Sequence, residues 1–367
     1  MKQTWRWFGP YDPIPLADLH MVGVEGIVTA LHDIPPGEVW TPDQIAERQD
    51  MLARANYTWD VVESLPVSEA IKTQSADCKA HLENYRVSLT NLAAAGVETI
   101  CYNFMPILDW TRTTLRKPQP HGGNAMAFDL VDFAAFDLFI LKRAGAADDF
   151  DDTVTAAARA RFDAMSDDDK SALQNTVIMG LPGANDGWSL DQVQARLDTY
   201  AGVDRDRLRQ NLIDFLGEVV PLAEDLGMRL CCHPDDPPWG LLGLPRVMSS
   251  LSDYETVLNA VDSPANGATL CTGSLGVASD FDGAAFVKSL GPRIHFAHLR
   301  NTKREGGLDP ARPNFFEAPH LGGDTDMVAT IQALMAECNR RRGEGRADWQ
   351  IPMRPDHGVK CERVSKV

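Results

Sequence analysis

The sequence predicts an α/β fold, a TIM-type (β/α)8 barrel, on three observations. Short apolar runs alternate with amphipathic stretches bounded by helix caps and glycines, the βα alternation of a parallel sheet. Eight such runs occur in 367 residues, which suits a barrel of about 250 residues plus insertions. The last four runs end on residues able to bind a metal, and in such barrels the carboxyl ends of the strands are where sites are built.

Residues 5–9, short, aromatic and halted by Gly9 and Pro10, read as the first strand, and residues 26–31 as the second. His32 and Asp33 follow the second directly and suit either a site or a loop cap. A helix is expected from Thr41, which can cap it, with Pro42 at its first position and Ile45, Met51 and Leu52 on one face. Residues 59–64 form the third strand, 83–95 an amphipathic helix stopped by Gly96, and 98–104 the fourth strand. A polar loop, 105–113, then opens a stretch to about residue 200 with no clear strand. Residues 105–200 are therefore expected to be a helical and loop insertion within one domain spanning 1–367. Its Asp-rich segments, 147–152 and 166–169, lack EF-hand spacing and read as helix starts, where carboxylates suit the first turn.

Residues 204–226 form a long helix carrying Leu208, Leu212, Phe215, Leu216, Val219 and Val220 on its apolar face, and Gly227 ends it. Four strands follow, closing on His233, Cys271, His298 and Asp356, with helices at 253–260, 281–290 and 326–342 before the last three. After Gly358 the remaining residues are too few and too polar for an eighth helix, so an uncovered seam is expected.

Lys and Arg total 35 against 52 Asp and Glu, a formal charge of -17, and no basic run could track phosphates. No apolar run reaches the roughly 18 to 20 residues of a membrane span, and the first residues lack the apolar core of a signal peptide. No nucleic acid, no membrane and a cytoplasmic location are expected. Seven scattered cysteines, two of them adjacent at Cys231 and Cys232, do not make a disulfide framework. Homo-oligomer formation is left open, through the uncovered edge or the insertion.

Singly, His233, Cys271, His298 and Asp356 have ordinary structural explanations, a hydrogen-bonded imidazole or a small core thiol. On four consecutive strand ends they point to a shared metal. Four protein ligands make a closed zinc site; with positions left open, the same set suits Fe2+ or Mn2+, which can bind a hydroxy acid directly. His295 and His298 are three apart and face opposite ways in a regular strand, a choice the pattern leaves open. Around them stand Arg300, Asn301, Lys303, Arg354 and His357, suited to salt bridges or to capture of a carboxylate. His357 can transfer protons near neutral pH. A metal-bound carboxylate beside such a base suits proton abstraction from the adjacent carbon, and loss of a hydroxyl from the next carbon makes that a dehydration.

Several segments resemble the mannonate dehydratase family: Trp5-Arg-Trp-Phe-Gly-Pro10, residues 26–31 with 37–40, Ile100-Cys-Tyr-Asn-Phe-Met-Pro106 with Asp109-Trp-Thr-Arg-Thr113, and His233-Pro-Asp-Asp-Pro-Pro238. The likeness continues in residues 271–276, 298–301, 320–323 and 354–358. It implies a xylose-isomerase-like barrel that converts D-mannonate to 2-keto-3-deoxy-D-gluconate and water in hexuronate breakdown, using Mn2+ or Fe2+. It places the metal ligands at His233, Cys271, His298 and Asp356, catalysis at His357 and Arg300, and substrate contacts at Arg300, Asn301, Arg354, Asn103, Trp110 and Arg112. Two departures stand out. Ser68 replaces the family's usual His, and residues 359–367 replace a Tyr-containing segment and closing helix. A metal-dependent sugar isomerase or epimerase, and a sugar-acid-binding barrel impaired by the altered tail, are the alternative readings.

Overall fold

The computed structural model describes residues 1–120, 122–179 and 188–360. Twelve strands are formed: β1 (Lys2–Arg6), β2 (Gly26–Thr29), β3 (Trp59–Glu63), β4 (Thr99–Tyr102), β5 (Thr114–Pro118), β6 (Asn124–Phe128), β7 (Arg229–Cys232), β8 (Asn266–Cys271), β9 (Ile294–Leu299), β10 (Asn301–Gly306), β11 (Asn314–Ala318) and β12 (Pro352–Pro355). Eight of them close a barrel in the order β1-β12-β9-β8-β7-β4-β3-β2. The first strand begins three residues earlier than expected, because β1 pairs with β12 from Lys2 and the chain turns away at Gly9, whose φ is +93°.

The local chemistry accounts for the helices. Thr41 and Gln44 form a reciprocal capping box that starts Pro42–Arg54. Gly96 and Gly227, both with positive φ, end Cys78–Ala94 and Arg205–Asp225. The Asp-rich segments are helix starts: Asp151 accepts from Val154 N–H, and Asp167–Asp169 fill the first turn of Asp167–Met179. Helices Leu251–Ala260, Gly283–Leu290 and Met327–Gly343 precede β8, β9 and β12.

Two features depart from the sequence expectation. The stretch expected to hold no strand contains β5 and β6, which join β10 and β11 in a four-stranded sheet of order β10-β11-β6-β5. All the pairings in this sheet are antiparallel, and its strands carry Arg, Lys, Asn and Glu among short apolar stretches, so the periodicity signal is weak. The sheet closes over the carboxyl side of the barrel through Asn301, which follows β9 after one residue. Residues 361–367 of the tail, on which the expectation of an uncovered seam falls, lie outside the described residues.

Alternation decides which side chains enter the barrel. Val28, Val61, Cys101, Cys231 and Phe296 fill its interior and are fully buried, while Cys232, one residue on, faces the helices. His298 lies two residues beyond Phe296 and therefore points inward, its ring 4.7 Å from the Phe296 ring. His295 points the other way. No described helix is long and apolar enough to cross a membrane.

Candidate metal and active site

Strand register assembles the cluster. Cys271 of β8 lies opposite His298 of β9, which lies opposite Arg354 of β12. His233 follows β7 directly, and Asp356 and His357 follow β12. The ligand atoms of His233, Cys271 and His298 all fall within 4.8 Å of one another, a group able to hold a metal ion. His233 Nε2 is 3.1 Å from His298 Nδ1. Asp356 Oδ2 borders the group, 3.6 Å from His298 Nδ1 and 4.0 Å from Cys271 Sγ. His295 is excluded, since its Nε2 meets the Pro264 carbonyl at 3.0 Å on the opposite end of the barrel.

The electrostatics fit a cation. Burial opposes ionisation of Cys271, but His233, His298 and Arg300 hold its thiol well below the ordinary value. Burial also lowers His233, and the Cys271 sulfur more than reverses that. Both shifts favour the thiolate–imidazolium pair, and a bound cation would take the proton's place. One thiolate, two imidazoles and a neighbouring carboxylate are a donor set that suits a divalent transition metal.

Glu63, which ends β3, stands behind the cluster. Its Oε2 is 3.5 Å from His298 Nε2, the ring atom that faces away from His233. Arg354 donates to both of its oxygens at 2.8 Å, and Arg6 Nη1 donates to Oε1 at 3.2 Å. Burial alone would raise this carboxyl; Arg354, His298 and Arg6 hold it well below the carboxylate range. A carboxylate on the far nitrogen of a ligating histidine fixes its ring orientation and raises its basicity.

Arg112, Asp236, Arg300 and Glu317 form a second, fully buried unit. Arg112 reaches Asp236 at 2.8 Å and Glu317 at 2.7 Å, and Arg300 reaches the same two at 2.7 Å each. Gly273 makes room for it, because a Cβ there would collide with the Arg300 side chain. The unit corrects part of the sequence reading. Arg112 and Arg300 do not offer free guanidinium forks to a substrate, because two buried carboxylates occupy them. Arg300 Nη1 also stands 3.7 Å from Asp356 Oδ2 and 3.9 Å from Cys271 Sγ, so it braces the cluster. Asn301 donates to the His320 and Thr325 carbonyls and ties a loop. Arg354 is taken by Glu63 and Asp356, and Lys303 is exposed on β10.

The remaining expected residues do meet at a cleft. It is lined by His233, Asp356, His357, Asn103 and Trp110, and also by Arg6, Arg300 and Arg354. His357 keeps a quarter of its side-chain surface and lies 5.8 Å from the Trp110 ring. Burial lowers its imidazole below the usual value, against the pull of Asp356. Two larger cavities, of about 510 and 740 Å3, border the cleft, and Arg6 lines all three. Ser68, in the 510 Å3 cavity, lies 2.8 Å from His81 Nδ1.

Four residues of this arrangement escaped the sequence reading: Arg6, Glu63, Asp236 and Glu317. The first two end β1 and β3 at the carboxyl rim, the same signal that singled out His233. Asp236 lay within the His-Pro-Asp-Asp run, and Glu317 sits on β11, a strand with no legible pattern.

The chain resembles proteins of one activity. A family model described as D-mannonate dehydratase (UxuA) matches residues 1–364. The mannonate dehydratase of Rhizobium meliloti (strain 1021) is 52% identical over 358 residues, covering 98% of this chain and 89% of that protein. Mannonate dehydratase 1 of Agrobacterium fabrum is 53% identical over the same shares of each chain. The crystal structure of mannonate dehydratase from Streptococcus suis serotype 2 superposes with a TM-score of 0.74 at 31% identity, covering 99% of this chain and 85% of that one. A 3-keto-D-glucoside 4-epimerase from E. coli, at TM-score 0.50 and 11% identity, shares the fold alone. With a match over nearly its whole length and half of its residues identical to named relatives, this chain belongs to the D-mannonate dehydratase family.

Proposed function

We propose that this hydro-lyase converts D-mannonate to 2-keto-3-deoxy-D-gluconate and water in the cleft over His233, Cys271 and His298. The observation that carries the reading is that cluster, with His357 beside it at the carboxyl end of the barrel. The six described cysteines are all free, which supports a cytoplasmic setting.

His233, Cys271 and His298 would hold the metal, and Asp356 is placed to join them. A Mn2+ or Fe2+ bound there supplies Lewis acidity to a carboxylate and its neighbouring hydroxyl, and the thiolate tilts the choice towards Fe2+. His357 is the reachable proton carrier. Burial holds its pKa below the ordinary imidazole value, which favours the neutral ring; that ring can accept the C2 proton and then deliver it to the departing C3 hydroxyl, which leaves as water. Arg300 braces Asp356 and Cys271. Trp110 closes the side of the cleft facing His357 and excludes water there.

The test is to strip the protein of metal, reload it anaerobically with Mn2+ or Fe2+, and follow 2-keto acid formation from D-mannonate. Metal-dependent product that disappears in His357→Ala, with metal content unchanged, is the expected result. Full activity in that variant, or product from metal-free protein, would refute the assignment.

A further inference from the structure

Four arginines approach the cleft, and three of them are already neutralised. Arg112 and Arg354 each contact two carboxylates of the protein, and Arg300 contacts three. Arg6 differs. Its only hydrogen bond among the described residues runs from Nη1 to Glu63 at 3.2 Å, and Glu63 is already held on both oxygens by Arg354 at 2.8 Å. Its Nε is buried without a partner, its guanidinium lies over the Phe8 ring at 4.7 Å, and 14% of its side chain remains open.

His32, across the same space, is in a similar position. Among the described residues neither of its buried ring nitrogens has a partner, and it lines the two larger cavities that Arg6 also lines. Buried polar atoms rarely go unpaired, and where they converge on a cavity a ligand is the natural partner. Burial, with Arg6 and Arg48 nearby, lowers His32 to about 4, so it faces that cavity as a neutral ring able to donate one hydrogen bond and accept another.

We infer that Arg6 is the anchor for the substrate's carboxylate and that His32 binds a hydroxyl of the same molecule. The inference rests on the sugar-acid reading above and assigns recognition to the β1–β2 side of the rim, away from the arginines of the buried lattice. A guanidinium with open donors beside a carboxylate-binding metal suits a carboxylate, which can offer one oxygen to each. If Arg6 served only to neutralise Glu63, its bond would be expected to be the shorter of the two; it is the longer.

Calorimetry on metal-loaded protein carrying His357→Gln, to block turnover, measures D-mannonate binding directly. Adding Arg6→Gln is expected to weaken binding by about 10- to 150-fold, the range for a hydrogen bond to a charged group, with metal content and melting temperature unchanged. Arg6→Lys, which keeps the charge and loses the fork, should recover part of it. With His357 intact, Arg6→Gln should raise KM by a similar factor with kcat little altered. Unchanged D-mannonate affinity overturns the inference, and so does loss of metal along with affinity, which would make Arg6 a support of the cluster. Binding by the parent without turnover in the wild type sinks the dehydratase reading and leaves Arg6 assigned; a parent that binds no D-mannonate overturns both.

Discussion

On the wall of the cleft built by β7, β8, β9 and β12, the charged groups around the cluster have partners within the protein; on the wall built by β1 to β4, several polar atoms have none. Arg300, Asp236 and Glu317 satisfy one another, and Asp356 is held by Arg354 at 2.8 Å. Across the cleft, Arg6 Nε, both nitrogens of His32 and Trp110 Nε1 are buried without partners among the described residues. The charged groups of the first wall are paired before any ligand arrives, which keeps His233, Cys271 and His298 at fixed separations. The second keeps hydrogen-bonding capacity in reserve. A site that must hold a cation rigidly and also accept a hydroxylated acid needs both conditions, and the barrel places them on opposite sides of one rim.

The sharpest way to break this contrast is to unbalance the self-satisfied wall. Glu317→Gln leaves Arg112 and Arg300 sharing a single carboxylate where all partners are within 1% of full burial. An uncompensated buried charge costs about 3–5 kcal/mol, so urea unfolding should show a loss of that size. A change below about 1 kcal/mol would mean that the lattice does not hold this wall.

Acidification attacks the paired carboxylates around the cluster on both walls. Glu63, Asp236 and Asp356 are all depressed in the folded protein, each against a burial effect that opposes the shift, by neighbouring arginines and, for Glu63 and Asp356, by histidines as well. Groups whose folded pKa lies below the unfolded value contribute stability that is present above the unfolded pKa, about 4, and is lost as pH falls through the folded one. The carboxylates should therefore make denaturant midpoints fall steadily below about pH 4. A midpoint unchanged at pH 3 would contradict the pairing.

A smaller effect is expected where the walls meet. Glu63→Gln keeps the shape and removes the charge behind His298, and metal affinity should fall by about 10- to 100-fold with the fold retained. Competition with a chelator reads this directly. On the open wall the effect is smallest: Ser68→Ala removes the 2.8 Å contact with His81, for a loss of about 1 kcal/mol in stability and no change in metal content.

Much of the cluster was legible because it depends on strand ends. His233, Cys271, His298 and Asp356 each close or follow a short apolar run, and parallel register brings such ends together whatever lies between them. The capped helices were legible for the same local reason, as Thr41 with Pro42 and Gln44 shows. The roles of the arginines were not. Whether a guanidinium is free or occupied depends on long-range partners: Arg112 meets Glu317 across 205 residues, and Arg354 meets Glu63 across 291. Residue type and spacing carry no trace of such pairings. The sheet that supplies Glu317 was hidden too, because its strands alternate weakly and come from two distant segments.

The most direct test of the account is to load metal-stripped protein with Co2+ and record the near-ultraviolet spectrum of the wild type and of Cys271→Ser, with and without D-mannonate. A thiolate bound to Co2+ gives a charge-transfer band. The account predicts that band in the wild type, its absence in Cys271→Ser, and a change in the visible bands when D-mannonate is added. Wild-type protein that holds one equivalent of Co2+ without the band, or a band that survives Cys271→Ser, would show that the metal lies elsewhere.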